Sequence, residues 1–120
     1  MSDSWSSSTV VFVSDAGAAA DFYADKLGFT VNWRSDDDGR TVAAGVSRDD
    51  CSLLLNTQRP DRVGKGAIYL GFGEVTHDAL RADFLAKGVV LKDGWWGKRL
   101  MIVEDPDGNQ LWFADPRDPA

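Results

Sequence analysis

The sequence predicts an α+β fold of two tandem βαβββ modules whose curved sheets surround a cleft, and three observations carry that prediction. The order strand, helix, strand, strand, strand is read twice along the chain. The segment ADFYADKLGFTV of the first half overlays ADFLAKGVVL of the second with one short gap, which marks two copies of one supersecondary unit. The polar stretch NTQRPDRVGKG separates the copies. Residues 9–120 therefore read as one domain, with modules at about 9–57 and 66–115, preceded by an arm at residues 1–8.

In the first module TVVFV at residues 9–13 is a short apolar strand, and Ser14 or Asp15 is a suitable N-cap for the helix beyond it. In AGAAADFYADKL, Ala19, Phe22, Tyr23 and Leu27 share one face at helical spacing. Gly28 stands where a left-handed residue closes a helix. FTVNW, TVAAGVS and SLLLN come next as strands, with the turn-rich SDDDGR as the loop between the first two.

In the second module AIYLGF is a strand, a helix runs from about Thr76 to Lys87, and VVLKDG, KRLMIVE and QLWFA are strands. DPDGN reverses the chain into the last of these. Pro106 fixes φ, Asp107 and Gly108 supply the turn, and Asn109 is read as a residue that tolerates left-handed geometry. A calcium loop built on Asp105, Asp107 and Asn109 lacks the further oxygen ligands and closing glutamate of an EF-hand.

The formal charge of −6 and the pI near 4.6 repel a phosphate backbone, so nucleic acid is excluded as a natural partner and a neutral or cationic small molecule is favoured. Cys51 is the only cysteine, which rules out an intrachain disulfide and a cysteine-based zinc site and fits a reducing cytoplasm. No basic segment leads into an apolar core at the N-terminus, and no apolar run approaches the roughly 20 residues of a membrane span. The chain reads as soluble, unexported and cytoplasmic. Trp5 is an unusual member of a Ser-rich arm, and two readings stay open for it: packing on a partner subunit, or a local surface contact.

DFYADKLGFTV, WGKRLMIVEDPDGNQLWF and the repeated element order together resemble the vicinal oxygen chelate superfamily, which contains glyoxalase I, extradiol dioxygenases and the bleomycin-resistance proteins. The resemblance runs from about Thr9 to Pro116. It implies four metal-ligand positions, two per module, where metal-dependent members hold an open divalent ion by imidazole and carboxylate. The matching positions fall on Ser8 and Tyr69 in the first strands and on Leu54 and Trp112 in the last strands. None is a usual ligand, so no metal and no cofactor are expected. His77, the sole histidine, reads as a surface or capping residue just inside the second helix.

Strand alternation then assigns directions, because residues two apart share a face. With Leu111 and Phe113 under the helix, Gln110 and Trp112 face the cleft; Thr9, Val11 and Val13 face the helix, while Ser8, Val10 and Phe12 line the cleft. Tyr69 and Gly71 point inward, Gly71 and Gly73 leave room beside them, and Phe72 alternates into the core. Trp33 ends FTVNW. Trp95 is assigned to the ligand and Trp96 to structure. Asp36, Asp37 and Asp38, with Asp49 and Asp50 nearby, either attract a cation or form a solvated loop.

Five tryptophans in 120 residues exceed what a small core uses, and indole and phenol faces bind planar or cationic ligands. The expected protein is a metal-independent one similar to the bleomycin-resistance branch, sequestering an aromatic or cationic antibiotic or natural product. Its candidate ligand-binding residues are Trp112, Tyr69, Phe12, Gln110, Trp33, Trp95, Leu54 and Ser8. No catalytic residue is assigned. The resemblance further implies a homodimer, with an exchanged N-terminal strand as a recurring variant. The alternative is a metal-independent enzyme of natural-product metabolism using Ser8, Gln110 or Tyr69 to donate or orient protons, although no nucleophile is paired with a base. A metal-dependent glyoxalase or dioxygenase is the third reading.

Overall fold

The computed structural model describes residues 5–71, 74–97 and 99–115. The expectations for Phe72 and Gly73, for Lys98 at the start of KRLMIVE, and for the first four residues of the arm lie outside these residues.

The chain forms β1 (Thr9–Phe12), α1 (Ala16–Leu27), β2 (Thr30–Asp37), β3 (Arg40–Arg48) and β4 (Cys51–Asn56). A 3-10 turn at Pro60–Arg62 leads into β5 (Ala67–Leu70), α2 (Glu74–Ala86), β6 (Leu91–Trp95), β7 (Arg99–Glu104) and β8 (Gln110–Ala114). Two four-stranded sheets result, ordered β1-β4-β3-β2 and β5-β8-β7-β6. In each the first strand pairs parallel with the last and the remaining ladders are antiparallel. This is the α+β arrangement of two βαβββ modules that the repeat predicts.

Local chemistry sets the element ends. Asp15, not Ser14, caps α1: its carboxylate accepts the Ala18 N–H at 3.0 Å, and Gly28 closes the helix at φ 74°. Ser14 instead donates through both its backbone N–H and its hydroxyl to the Asp107 carboxylate in the other module. The segment expected as a loop, SDDDGR, is mostly strand. Asp38 and Gly39 both adopt positive φ, the requirement of a tight two-residue hairpin, so pairing continues through Asp36 with Thr41 and Asp37 with Arg40.

That longer hairpin also separates the acidic residues. Asp36 to Asp38 lie at one end of β3 and Asp49 and Asp50 at the other, about 30 Å away for nine extended residues. The two groups are not neighbours, contrary to expectation.

The core lies between each sheet and its helix. Val11, Val13, Ala44, Val46, Leu53 and Leu55 meet Ala16, Ala19, Ala20, Tyr23 and Leu27 of α1 in the first module. Met101, Val103, Leu111 and Phe113 meet Leu80 and Phe84 of α2 in the second. Both halves join in one buried cluster. His77 belongs to this buried set rather than to the surface, because α2 begins at Glu74 and turns its first-turn histidine inward, within 3.7 Å of the Asp78 carboxylate.

The modules are bolted together through the DPDGN turn. Asp105 accepts the backbone N–H groups of Asp107 and Asn109, the Asn109 amide at 3.0 Å and the Tyr23 hydroxyl of α1 at 3.1 Å. Asn109 in turn donates to the Phe12 carbonyl and accepts from the Gly66 N–H, both at 2.9 Å. Its backbone is not left-handed; the positive φ in the turn belongs to Gly108. Asn109 is therefore placed by its buried amide, not by backbone tolerance.

Candidate functional site

Each sheet covers its helix with one face and turns the other outward. On the first sheet Val10 pairs with Leu54 and Leu54 with Gly45, while Gly45 stands opposite Trp33. On the second, Tyr69 pairs with Trp112, Trp112 with Ile102, and Ile102 with Lys92. The two rows occupy equivalent places in the two modules. The residue corresponding to Tyr69 is thus Val10, and Ser8 lies exposed before β1 begins.

Trp33 reaches its row through a bulge. The register slips at Asn32, so two residues of β2 oppose one of β3 and Trp33 is re-aimed onto the open face beside Gly45. A Cβ on Gly45 would collide with the indole, so the missing side chain is the seat on which the ring lies. Gly94 serves Ile102 in the same way on the second sheet. Trp33 remains 45% exposed, with its outer side free for contact.

The second sheet carries three aromatic rings together. Trp96 packs edge-on against Tyr69 at 5.8 Å and lies 6.5 Å from Trp112 at a 48° tilt. Trp95 does not join them: its register with Arg99 puts it on the face of Asp93 and Met101. Of the two tryptophans it is thus Trp96, just past the end of β6, that packs beside Tyr69 and Trp112, while Trp95 stands exposed on the other face.

A polar chain fixes the central indole. Trp112 Nε1 donates to Gln110 Oε1 at 2.8 Å, Gln110 Nε2 donates to Glu104, and Lys92 Nζ donates to the other Glu104 oxygen at 2.9 Å. Lys92 first, and Gln110 after it, hold the Glu104 carboxyl below the usual range. The indole donor is already satisfied within the protein, so Trp112 offers a ligand its π-face rather than its N–H. Glu104 stands directly opposite Gln110 in the ladder. That cross-strand pairing is the signal that leads to Glu104 and Lys92.

Of the residues singled out from the sequence, Tyr69, Gln110 and Trp112 come together on the second open face, and Phe12, Leu54 and Trp33 lie on the first. Ser8 and Trp95 stand outside both groups. The structure adds Trp96, Lys92, Glu104 and Ile102 to the second face and Val10 to the first.

A divalent metal does not fit this donor set. The four positions that the resemblance gives to ligands hold Ser8, Leu54, Tyr69 and Trp112, with Val10 as the counterpart of Tyr69 in the first sheet; they offer a hydroxyl, alkyl groups, a phenol and an indole whose nitrogen is a donor only. Among the described residues no three His, Cys, Asp or Glu side chains gather. What the surface offers is stacking, cation–π attraction and one ionised carboxylate.

A paired βαβββ fold with two open sheet faces defines a class, and the chain belongs to the Glyoxalase/Bleomycin resistance protein/Dioxygenase superfamily, whose family model matches residues 6–113. Similar solved structures include TnmS3, an antibiotic binding protein from Streptomyces sp. CB03234, at 28% identity and TM-score 0.73, with 95% of this chain and 97% of that one covered. The bleomycin-binding protein from bleomycin-producing Streptomyces verticillus, complexed with copper(II)-bleomycin, is 24% identical with TM-score 0.72, covering 95% of this chain and 98% of that one. The lactoylglutathione lyase from Agrobacterium tumefaciens is 18% identical with TM-score 0.71, covering 94% and 93%. The last two establish the shared fold alone. No curated protein sequence matches the chain.

Proposed function

We propose that this chain is a metal-independent binding protein that sequesters an aromatic or cationic antibiotic or related natural product on its open sheet faces. The observation that carries the reading is the aromatic cluster of Tyr69, Trp96 and Trp112, two of whose members stand where the resemblance implies metal ligands, as do Ser8 and Leu54. Likeness to an antibiotic binding protein at 28% identity supports it. The polar chain from Lys92 through Glu104 and Gln110 ends on an indole N–H and not on a nucleophile, which favours binding over turnover.

The working form is a homodimer. Val10 and Trp33 on the first open face and Tyr69 and Trp96 on the second are all about half-exposed or more, an apolar and aromatic surface that a second copy can cover. Apposing the open face of one subunit to that of another buries these residues while leaving ligand space between flat rings. Titration with bleomycin and with proflavine, a planar cationic dye, tests the reading by tryptophan emission and mass spectrometry. Saturable quenching with an unchanged ligand mass is expected. Absence of any spectral change, or conversion of a ligand to a new mass, overturns it.

A further inference from the structure

The two modules meet at two seams related by the internal repeat, and among the described residues only one of them is filled. At the first, the β7–β8 turn presses Asp105 and Asn109 against Tyr23 of α1 and the end of β1. At the second, the corresponding parts are the β3–β4 turn, α2 and the end of β5. There a cavity of about 420 Å³ opens, lined by Leu27, Phe29, Ile68, Leu80, Phe84 and Phe113.

The cause is turn length. The filled seam has five residues between its strands, Asp105 to Asn109, and the open one has two, Asp49 and Asp50. The shorter turn brings no buried plug, and Phe84, the buried aromatic of α2, has no hydroxyl to reach across as Tyr23 does. The fold itself does not require the space, since its own repeat shows the same junction closed.

The chemistry of the cavity is divided. Its floor is aliphatic and aromatic. At the rim stand Asp49 and Asp50 with Arg48, whose guanidinium is engaged at 2.6 Å by the Leu27 carbonyl at the end of α1. The two carboxylates have no such engagement among the described residues, so the rim presents negative charge above an apolar well. The volume falls within the roughly 300–1,000 Å³ of small-molecule sites. We propose that this seam is a second ligand site, bordered by Tyr69 but not by Trp112 of the open face, that takes a small aromatic amine: the ring in the well and the ammonium at Asp49 and Asp50.

Cys51 lines the same cavity and is the only thiol of the chain, so it reports occupancy without interference. The experiment follows the alkylation rate of Cys51 by N-ethylmaleimide in the full-length protein, with 1-naphthylmethylamine, uncharged 1-methylnaphthalene or anionic 1-naphthoate added. The amine at about ten times its Kd should slow labelling about tenfold, since only the empty site reacts. Protection should weaken with the uncharged ring, vanish with the carboxylate, and be reduced in Asp49→Asn/Asp50→Asn.

Filling the well with Leu80→Trp should abolish protection. Thr9→Phe, at an exposed position on the cavity wall, gives the same test should the helix variant fail to fold. Labelling unaffected by the amine, or protection equal for amine and carboxylate, overturns the proposal. So does protection that appears only in Trp5→Ala, because the arm next to Ser7 would then be the natural occupant. Tyr69 borders both sites but Trp112 borders only the open face, so protection of Cys51 by the amine that persists in Trp112→Ala, whatever the dye titration shows, judges the two sites separately.

Discussion

Asn109 provides the sharpest test of how the modules are held. Its side chain is 2% exposed and makes three hydrogen bonds, to the Phe12 carbonyl, the Asp105 carboxylate and the Gly66 N–H. Replacing it by glycine removes all three yet leaves the turn every backbone freedom it has. A net loss of about 1 kcal/mol per bond, with a further penalty for the Gly66 and Phe12 groups left unpaired, gives about 3–5 kcal/mol. That is a large share of the roughly 5–15 kcal/mol that stabilises a domain. Urea unfolding followed by tryptophan emission and far-ultraviolet circular dichroism measures it. Were Asn109→Gly within about 0.5 kcal/mol of the parent protein, the residue would be serving the turn's backbone and the account of the seam would be refuted.

Other positions give further outcomes. Gly45→Ala should lift the Trp33 ring off the sheet; because that indole is half-exposed it can swing outward, so stability should fall by less than about 1 kcal/mol while tryptophan emission shifts to the red. Unchanged emission would deny Gly45 its role as a seat. Burial pushes the Asp105 carboxyl above its ordinary range, although Asn109, the Asp107 N–H and Tyr23 pull against the shift. The folded state then holds that proton more tightly than the unfolded chain. The associated stability is present below the ordinary aspartate value and lost as pH rises through the raised one. The difference in urea midpoint between the parent protein and Asp105→Asn, followed from about pH 4 to 8, should show that slope, and an opposite slope would reverse the assignment.

The fold is legible in the sequence because its two signals are local and repeated: apolar periodicity within each element, and the ADF segments that mark two copies. The open-face row is legible in part. Alternation alone makes Tyr69, Gln110 and Trp112 neighbours on one face, since strand parity is rigid within a regular strand. It fails wherever a register detail intervenes. Counting along the chain makes Ser8 the counterpart of Tyr69, whereas the ladders make Val10 its counterpart, because the pairing of β1 with β4 is a contact distant in sequence. Trp96, not Trp95, joins Tyr69 because the end of β6 is set by pairing with β7 and not by composition. Asn109 looks like a backbone residue from its turn alone, because the Phe12 carbonyl it binds lies in the other module, invisible to any local rule. The empty seam depends on comparing two turns in three dimensions and leaves no mark in the sequence beyond their unequal lengths.

The central claim is that the aromatic face of the second sheet, with Tyr69 and Trp112 where the resemblance implies metal ligands, binds its ligand without a metal. Isothermal titration of proflavine in the presence and absence of excess chelator, with the parent protein and Trp112→Ala, tests it most directly. Binding should be unaffected by the chelator and weakened in the variant by about 1–3 kcal/mol, or roughly 5- to 150-fold in Kd, as expected for loss of an aromatic hot spot. Binding abolished by chelation, or equal affinity in a stably folded Trp112→Ala protein, would contradict it.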